Sequence, residues 1–256
     1  MRTSRFRFQR VDAFTLVELL AVIAIIALLS ALLLPFYSKI IGTANRAACV
    51  SNLRNIGIAV TTYMADNDGY YPGPINASQG IHASGGALSY VLRSYAGAPD
   101  LQIRQLAPSI FRCPAWKKLH PNVQYADGQV VYMTNHLIAV GPGPSELSYY
   151  DPWGTSGKSA PIRQITLASL EGQPDFSWSP AKTEHGLFSL SGTWAITDLD
   201  YPFVSLPYMN GGTWSPRPDL KPVHGEVRNV LFFDWHVESV SARFAADGQL
   251  VLNIPR

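Results

Sequence analysis

Twenty consecutive residues, Leu19 to Ser38, carry no charge and are rich in Leu, Ile and Ala. At ~1.5 Å rise per residue a helix of that length covers ~30 Å, about one hydrocarbon core. The run predicts a membrane-spanning helix. Ahead of it Arg2, Arg5, Arg7 and Arg10 stand against the single acid Asp12, and such a flank keeps an N-terminus on the cytoplasmic side. The chain is read as N-in and C-out, so everything after the run is extracytoplasmic. An ordinary secretory signal has a shorter apolar core and a cleavage site behind it, and no clean Ala-x-Ala follows here.

Glu18 is at odds with a plain anchor. It lies at the head of the apolar run, and a carboxylate taken into hydrocarbon is costly unless it finds a partner or reaches back to the interface. The residues around it, Ala13-Phe14-Thr15-Leu16-Val17-Glu18, follow a short basic leader and precede a long apolar helix. In this they resemble the processing site of type IV pilins and type II secretion pseudopilins. The resemblance implies cleavage by a prepilin peptidase after Ala13, which stands where the family normally has Gly, and N-methylation of the new N-terminal Phe14. It also implies that Glu18 meets the N-terminal amine of a neighbouring subunit during assembly. A Glu among packed helices is tolerated when an ammonium neutralises it. The partners so implied are prepilin peptidase, other pilin or pseudopilin subunits and the membrane. The place implied is the bacterial inner membrane, or a type IV pilus or type II secretion filament built from it.

A chain of 256 residues, 47% hydrophobic, is long enough for one medium globular head beyond the anchor. Four of the 20 basic residues and two of the 18 acidic ones precede Tyr37, which leaves sixteen of each in the remainder. That balance provides no basic field, so no nucleic-acid partner is expected. The head is rich in Pro, Gly, Tyr and Trp, a composition suited to a loop-rich, largely β extracytoplasmic domain. Its two cysteines, Cys49 and Cys113, can pair in an oxidising compartment; alternatively Cys49 is a small residue on a helix face and Cys113 a core residue.

From Tyr37 to about Ala65, Ile40, Ile41, Ala44, Ala48, Leu53, Ile56, Val60, Tyr63 and Met64 recur at spacings of three and four, which predicts an amphipathic helix. Asp66-Asn67-Asp68-Gly69 and Tyr70-Tyr71-Pro72 end it with turn chemistry. The Cys49-x-x-Asn52-Leu53-Arg54 helix, the Asp-Asn-Asp-Gly stop and a Cys113-Pro114 pair resemble a subgroup of pilin-like proteins. Ala87 to Tyr95 is read as a short helix, Val130 to Val140 as a strand, and Ile162 to Leu170 as ordered structure. Asn229 to Phe233 and His236 to Val240 form a hairpin turned at Asp234-Trp235. His224 precedes Asp234 by nine intervening residues, similar to the His-x9-Asp-Gly motif of the same subgroup, with Trp235 in place of Gly.

His224, Asp234 and His236 are the best candidates for a small site, as a metal-binding or proton-exchanging group or as a hydrogen bond pinning the hairpin. Gly-x-Ser-x-Gly, a phosphate-binding Gly loop and Cys-x-x-Cys are all missing; neither enzyme activity, a cofactor nor a metal is expected. Tyr149, Tyr150, Trp153, Trp178, Trp194, Tyr201, Tyr208 and Trp214 either form the core of a strand-poor domain or present a binding face.

The expected architecture is α+β and pilin-like: a long N-terminal helix, half transmembrane, packed on a head with an antiparallel sheet and long loops. Its parts are a leader over 1–13, a transmembrane and assembly helix over 14–36, its amphipathic continuation over 37–71 and the head over 72–256. The expected function is a structural subunit of a pilus-like or secretion filament. The alternative is a membrane-tethered extracytoplasmic protein, with glycans as one ligand class, that never polymerises.

Overall fold

The computed structural model describes residues 15–115, 130–155, 158–175, 186–198, 223–244 and 250–253. Two compact units make up the chain, Met1–Thr43 and Ala44–Arg256. Helix α1 is assigned from Leu16–Asp66.

In the first unit, α1 starts with a reciprocal cap. Thr15 Oγ1 accepts the Glu18 N–H at 3.3 Å, while the Glu18 carboxylate accepts the Thr15 N–H at 2.9 Å and the Thr15 hydroxyl at 2.7 Å. This is the Thr-x-x-Glu capping box, which satisfies donors that the first turn would leave orphaned. Leu16 through Leu32 follow as an exposed apolar surface on the single chain. Among the described residues, no helix is long and apolar enough to cross a membrane.

In the second unit, the same helix buries one stripe: Cys49, Leu53, Ile56, Val60 and Met64, each at most 4% exposed. Their spacing of three to four residues keeps them on one face. The helix ends at Asp66, where Asp68 and Gly69 both take left-handed φ, 52° and 76°. The Gly69 N–H reaches back to the Met64 carbonyl at 2.8 Å, and Asn67 Nδ2 caps the Tyr63 carbonyl at 2.8 Å. Satisfying those last carbonyls is what the Asp-Asn-Asp-Gly sequence does.

Among the described residues eight strands follow: β1 Ser78–Gly80, β2 Val130–Thr134, β3 Ile138–Val140, β4 Ser148–Tyr150, β5 Trp194–Asp198, β6 Val227–Phe232, β7 Val237–Phe244 and β8 Leu250–Asn253. Six form an antiparallel sheet in the order β1-β2-β5-β6-β7-β8, and β3-β4 is a separate ladder. Short helices, α2 Leu88–Val91 and α3 Gln164–Ala168, occupy the connections. The architecture is α+β, with a long N-terminal helix and an antiparallel sheet.

The stretch 130–140, expected as one strand, is divided. Asn135 Nδ2 donates to the Trp194 carbonyl at 2.9 Å and His136 is tied to Asp151, so side-chain bonds displace the ladder and β3 leaves for the other sheet. The hairpin also differs from a two-residue turn. The Phe232 N–H bonds the His236 carbonyl and the Trp235 N–H the Phe232 carbonyl, both at 3.0 Å, leaving Phe233, Asp234 and Trp235 as a three-residue loop. Such loops end on a left-handed residue, and Trp235 takes that place with φ 72°.

The core joins α1 to the sheet and loops. At Gly57 an added Cβ would stand 3.3 Å from Leu231 Cδ1, so a small residue allows α1 to approach β6 closely. Tyr71 packs edge-on against Trp153 and Phe233, with ring centroids 5.4 and 5.8 Å away. Of the loop aromatics, Trp153 and Trp194 are buried and Tyr149 is exposed. Trp178, Tyr201, Tyr208 and Trp214 lie outside the described residues.

Candidate functional site

Glu18 of the N-terminal unit is exposed on the single chain, and Thr15 is its partner. The cap orders the helix start, but it leaves the carboxylate's negative charge uncompensated, as a hydroxyl and an amide N–H bring no net charge. Ala13 and Phe14 lie outside the described residues.

The head gathers its chemistry where α1 meets the sheet. Cys49 on α1 and Cys113, just after the short helical turn Ser109–Phe111, are joined by a disulfide with Cα atoms 5.3 Å apart. Asn52, one turn further along α1, donates from Nδ2 to the carbonyls of Ser109 and Arg112 at 3.3 and 3.0 Å. Cys-x-x-Asn on the helix thus grips the segment leading to Cys-Pro twice, covalently and by hydrogen bonds.

His224 closes this arrangement from the other side. Its Nε2 lies 3.6 Å from Cys113 Sγ and 3.1 Å from Asp198 Oδ2, with the side chains of His224 and Asp198 each 1% exposed. Asp198, the last residue of β5, in turn accepts from Asn229 N and Nδ2 on β6 at 3.1 Å. Asn229 Oδ1 accepts the Ser239 hydroxyl at 2.7 Å, and Arg46 Nε on α1 donates to that Ser239 oxygen at 3.3 Å. The polar chain runs from α1 across β7, β6 and β5 and back to α1. Burial, with the charge of Asp198 second, pushes the Tyr132 phenol far above its usual range.

Asp234 and His236 stand apart from this cluster, on the hairpin. His236 Nδ1 pairs with Asp234 Oδ1 at 2.5 Å, both side chains are more than a third exposed, and the imidazole stacks on Phe232 at 4.3 Å. The three sequence candidates therefore divide: His236 holds Asp234, while His224 turns to Asp198. Trp235 between them is costly in the left-handed region, about 1–2 kcal/mol for a residue with a side chain. Its ring, packed against the core 6.1 Å from Tyr71, offsets that cost.

A second pair joins buried His136 to half-buried Asp151. His136 Nδ1 lies 2.9 Å from Asp151 Oδ1, its Nε2 is 3.0 Å from Thr134 Oγ1, and Thr155 and Ser159 hydroxyls donate to Asp151 Oδ2 at 2.8 Å. A hydroxyl, an imidazole and a carboxylate in sequence have the order of a relay, but Thr134 is fully buried and sits 3.2 Å from the carbonyls of Asn76 and Ala77. The group locks loops together. Burial alone would raise the Asp151 carboxyl; the hydrogen bond and charge of His136 and the two hydroxyls outweigh it and hold the carboxyl below its usual range.

The stabilisation is complete above the unfolded carboxyl value of about 3.9 and is lost as pH falls through the lowered folded value. Asp151→Asn is expected to cost about 1–2 kcal/mol at pH 7 and nearly nothing in strong acid. Urea unfolding at the two pH values measures it.

Asp198, Asn229, His136 and Asp151 escaped the sequence reading. His136 did carry a signal, being a histidine inside the apolar run VVYMTNHLIAV. Asp198 carried none, since its partner is set by the β5-β6 register.

The chain matches no curated protein and no solved structure. Residues 9–34, which include the Thr15–Glu18 helix start, match the family model of the prokaryotic N-terminal methylation motif. By that N-terminus the chain carries the signature of the type IV pilins and pseudopilins.

Proposed function

We propose that this chain is a pilin-like or pseudopilin structural subunit. Prepilin peptidase removes residues 1–13 after Ala13 and methylates Phe14. The segment 14–36 spans the bacterial inner membrane with the head outside, and subunits then assemble through their N-terminal helices into a pilus-like or secretion filament. The observation that carries this reading is the methylation motif over residues 9–34, with a lone acid at the head of an otherwise uncharged apolar run. Membrane insertion rests on the charge-free length from Leu19 to Ser38 and the basic leader. Cohesion in the filament would come from apolar helix surfaces moving from lipid to one another, with Glu18 setting register against a neighbour's N-terminal ammonium. The motif points to a structural subunit rather than an enzyme.

Intact mass and N-terminal sequencing of the protein from its native membranes test the reading. The expected mature chain begins with N-methylated Phe14. A chain that retains its leader, or one cut after the apolar run, overturns it.

A further inference from the structure

His224 Nε2 has Cys113 Sγ at 3.6 Å and Asp198 Oδ2 at 3.1 Å. In a proton relay the two partners of an imidazole sit on its two different nitrogens, as Thr134 and Asp151 do around His136. Here both partners converge on one nitrogen, and Cys49 Sγ joins them: the two sulfurs and His224 Nε2 all lie within 4.8 Å of one another. Donor atoms that converge on a common point, rather than forming a chain, are the arrangement that ligates an ion.

From this geometry we infer that, once the Cys49–Cys113 disulfide is reduced, Cys49, Cys113, His224 and Asp198 hold one zinc-class divalent ion. The donor set is two thiolates, one imidazole and one carboxylate, the N, S and O ligands that zinc takes in four-coordinate sites. Zinc-ligand bonds of about 2.3 Å to sulfur and about 2.0–2.1 Å to nitrogen or oxygen give tetrahedral edges of about 3.6 Å for S–N and about 3.4 Å for N–O. The observed 3.6 and 3.1 Å are close to both. Cleavage of the disulfide lets the sulfur-sulfur edge open, and the Asp198 carboxylate, outside the 4.8 Å group formed by the two sulfurs and His224 Nε2, must turn in to complete the four. Asn229 orients the Asp198 carboxylate through two donors, as an outer shell does for a ligating carboxylate.

The chemistry balances without a redox role for the metal. A phosphine supplies two electrons and one water supplies two protons and an oxygen, so that the S–S bond breaks to two thiols and the phosphine becomes its oxide. The ion then displaces both thiol protons to solvent and binds the thiolates. The same residues would thus cross-link α1 to the sheet in either redox state, covalently when oxidised and through the ion when reduced.

The test uses the full chain in detergent, reduced with a phosphine, freed of metal and titrated anaerobically with Co²⁺ and then Zn²⁺. The expected result is one equivalent of Co²⁺ with a thiolate-to-cobalt charge-transfer band and intense tetrahedral d–d bands. Zinc should displace that cobalt, and the oxidised chain should show neither signal. Asn229→Ala is expected to weaken binding about 10–100-fold, and His224→Ala and Asp198→Asn by at least as much. The circular dichroism of each variant with its disulfide intact checks that it folds. Reduced wild type without a thiolate-cobalt signal overturns the site, whether it stays folded or unfolds and is not refolded by metal. Equal affinity in the His224 and Asp198 variants overturns the four-ligand assignment and leaves a thiol pair alone.

Discussion

Glu18→Ala is expected to reach the membrane in wild-type amounts and to drop out of filaments, with incorporation falling by about two orders of magnitude, as when one partner of a buried ion pair is removed. The apolar run gains an uncharged residue, so insertion is not impaired. What disappears is the charge that a neighbour's ammonium would meet, along with the carboxylate that caps Thr15. Glu18→Gln separates these roles. Its amide oxygen still accepts the Thr15 N–H, while its charge is gone. Both variants absent from the filament fraction but present in the membrane mean that the charge governs assembly. A Gln variant that assembles normally reduces Glu18 to a helix cap. If the wild type itself never appears in a filament fraction, the tethered, non-polymerising reading is the better one.

Features set by neighbouring residues were legible in the sequence. The helix through the apolar run, the amphipathic stripe through Leu53, Ile56 and Val60, and the Asp-Asn-Asp-Gly stop all express local backbone and burial rules. The Thr15-x-x-Glu18 capping box is equally local and equally readable, and the charge of Glu18 masks it. Features that depend on register were not legible. The nine-residue spacing suggested His224 with Asp234, whereas β5-β6 pairing brings Asp198 to Asn229 and so to His224. Likewise the run 130–140 has strand composition throughout. Its division at Asn135 and His136 depends on Trp194 and Asp151, partners with no mark in the local pattern. The place of Trp235 shows a third limit. Positive φ argues against a Trp, and only the packing of its ring on the core makes the residue tolerable.

Loss of the Cys49–Cys113 bond, with metal excluded by a chelator, is expected to cost the head about 4 kcal/mol. The two cysteines are 64 residues apart, and the chain-entropy account of closing a loop of that size gives this magnitude. For a unit of this size it corresponds to a fall in Tm of roughly 10 °C. The location makes the full effect reachable: both sulfurs are in the core, Cys49 fully buried and Cys113 5% exposed, so little solvated slack relaxes when the bond is lost. Once it is broken, Asn52 alone ties this part of α1 to the Cys-Pro segment among the contacts described above, through the carbonyls of Ser109 and Arg112. Asn52→Ala should therefore remove a further 1–2 kcal/mol or so, and more in the reduced chain than in the oxidised one, because the disulfide holds the same two elements in register. Urea unfolding of the four species, oxidised and reduced, with and without Asn52, gives the coupling directly. Equal stability of the oxidised and reduced wild type would mean that the loop is already constrained by other contacts, and that the bond adds nothing to the grip of α1 on the head.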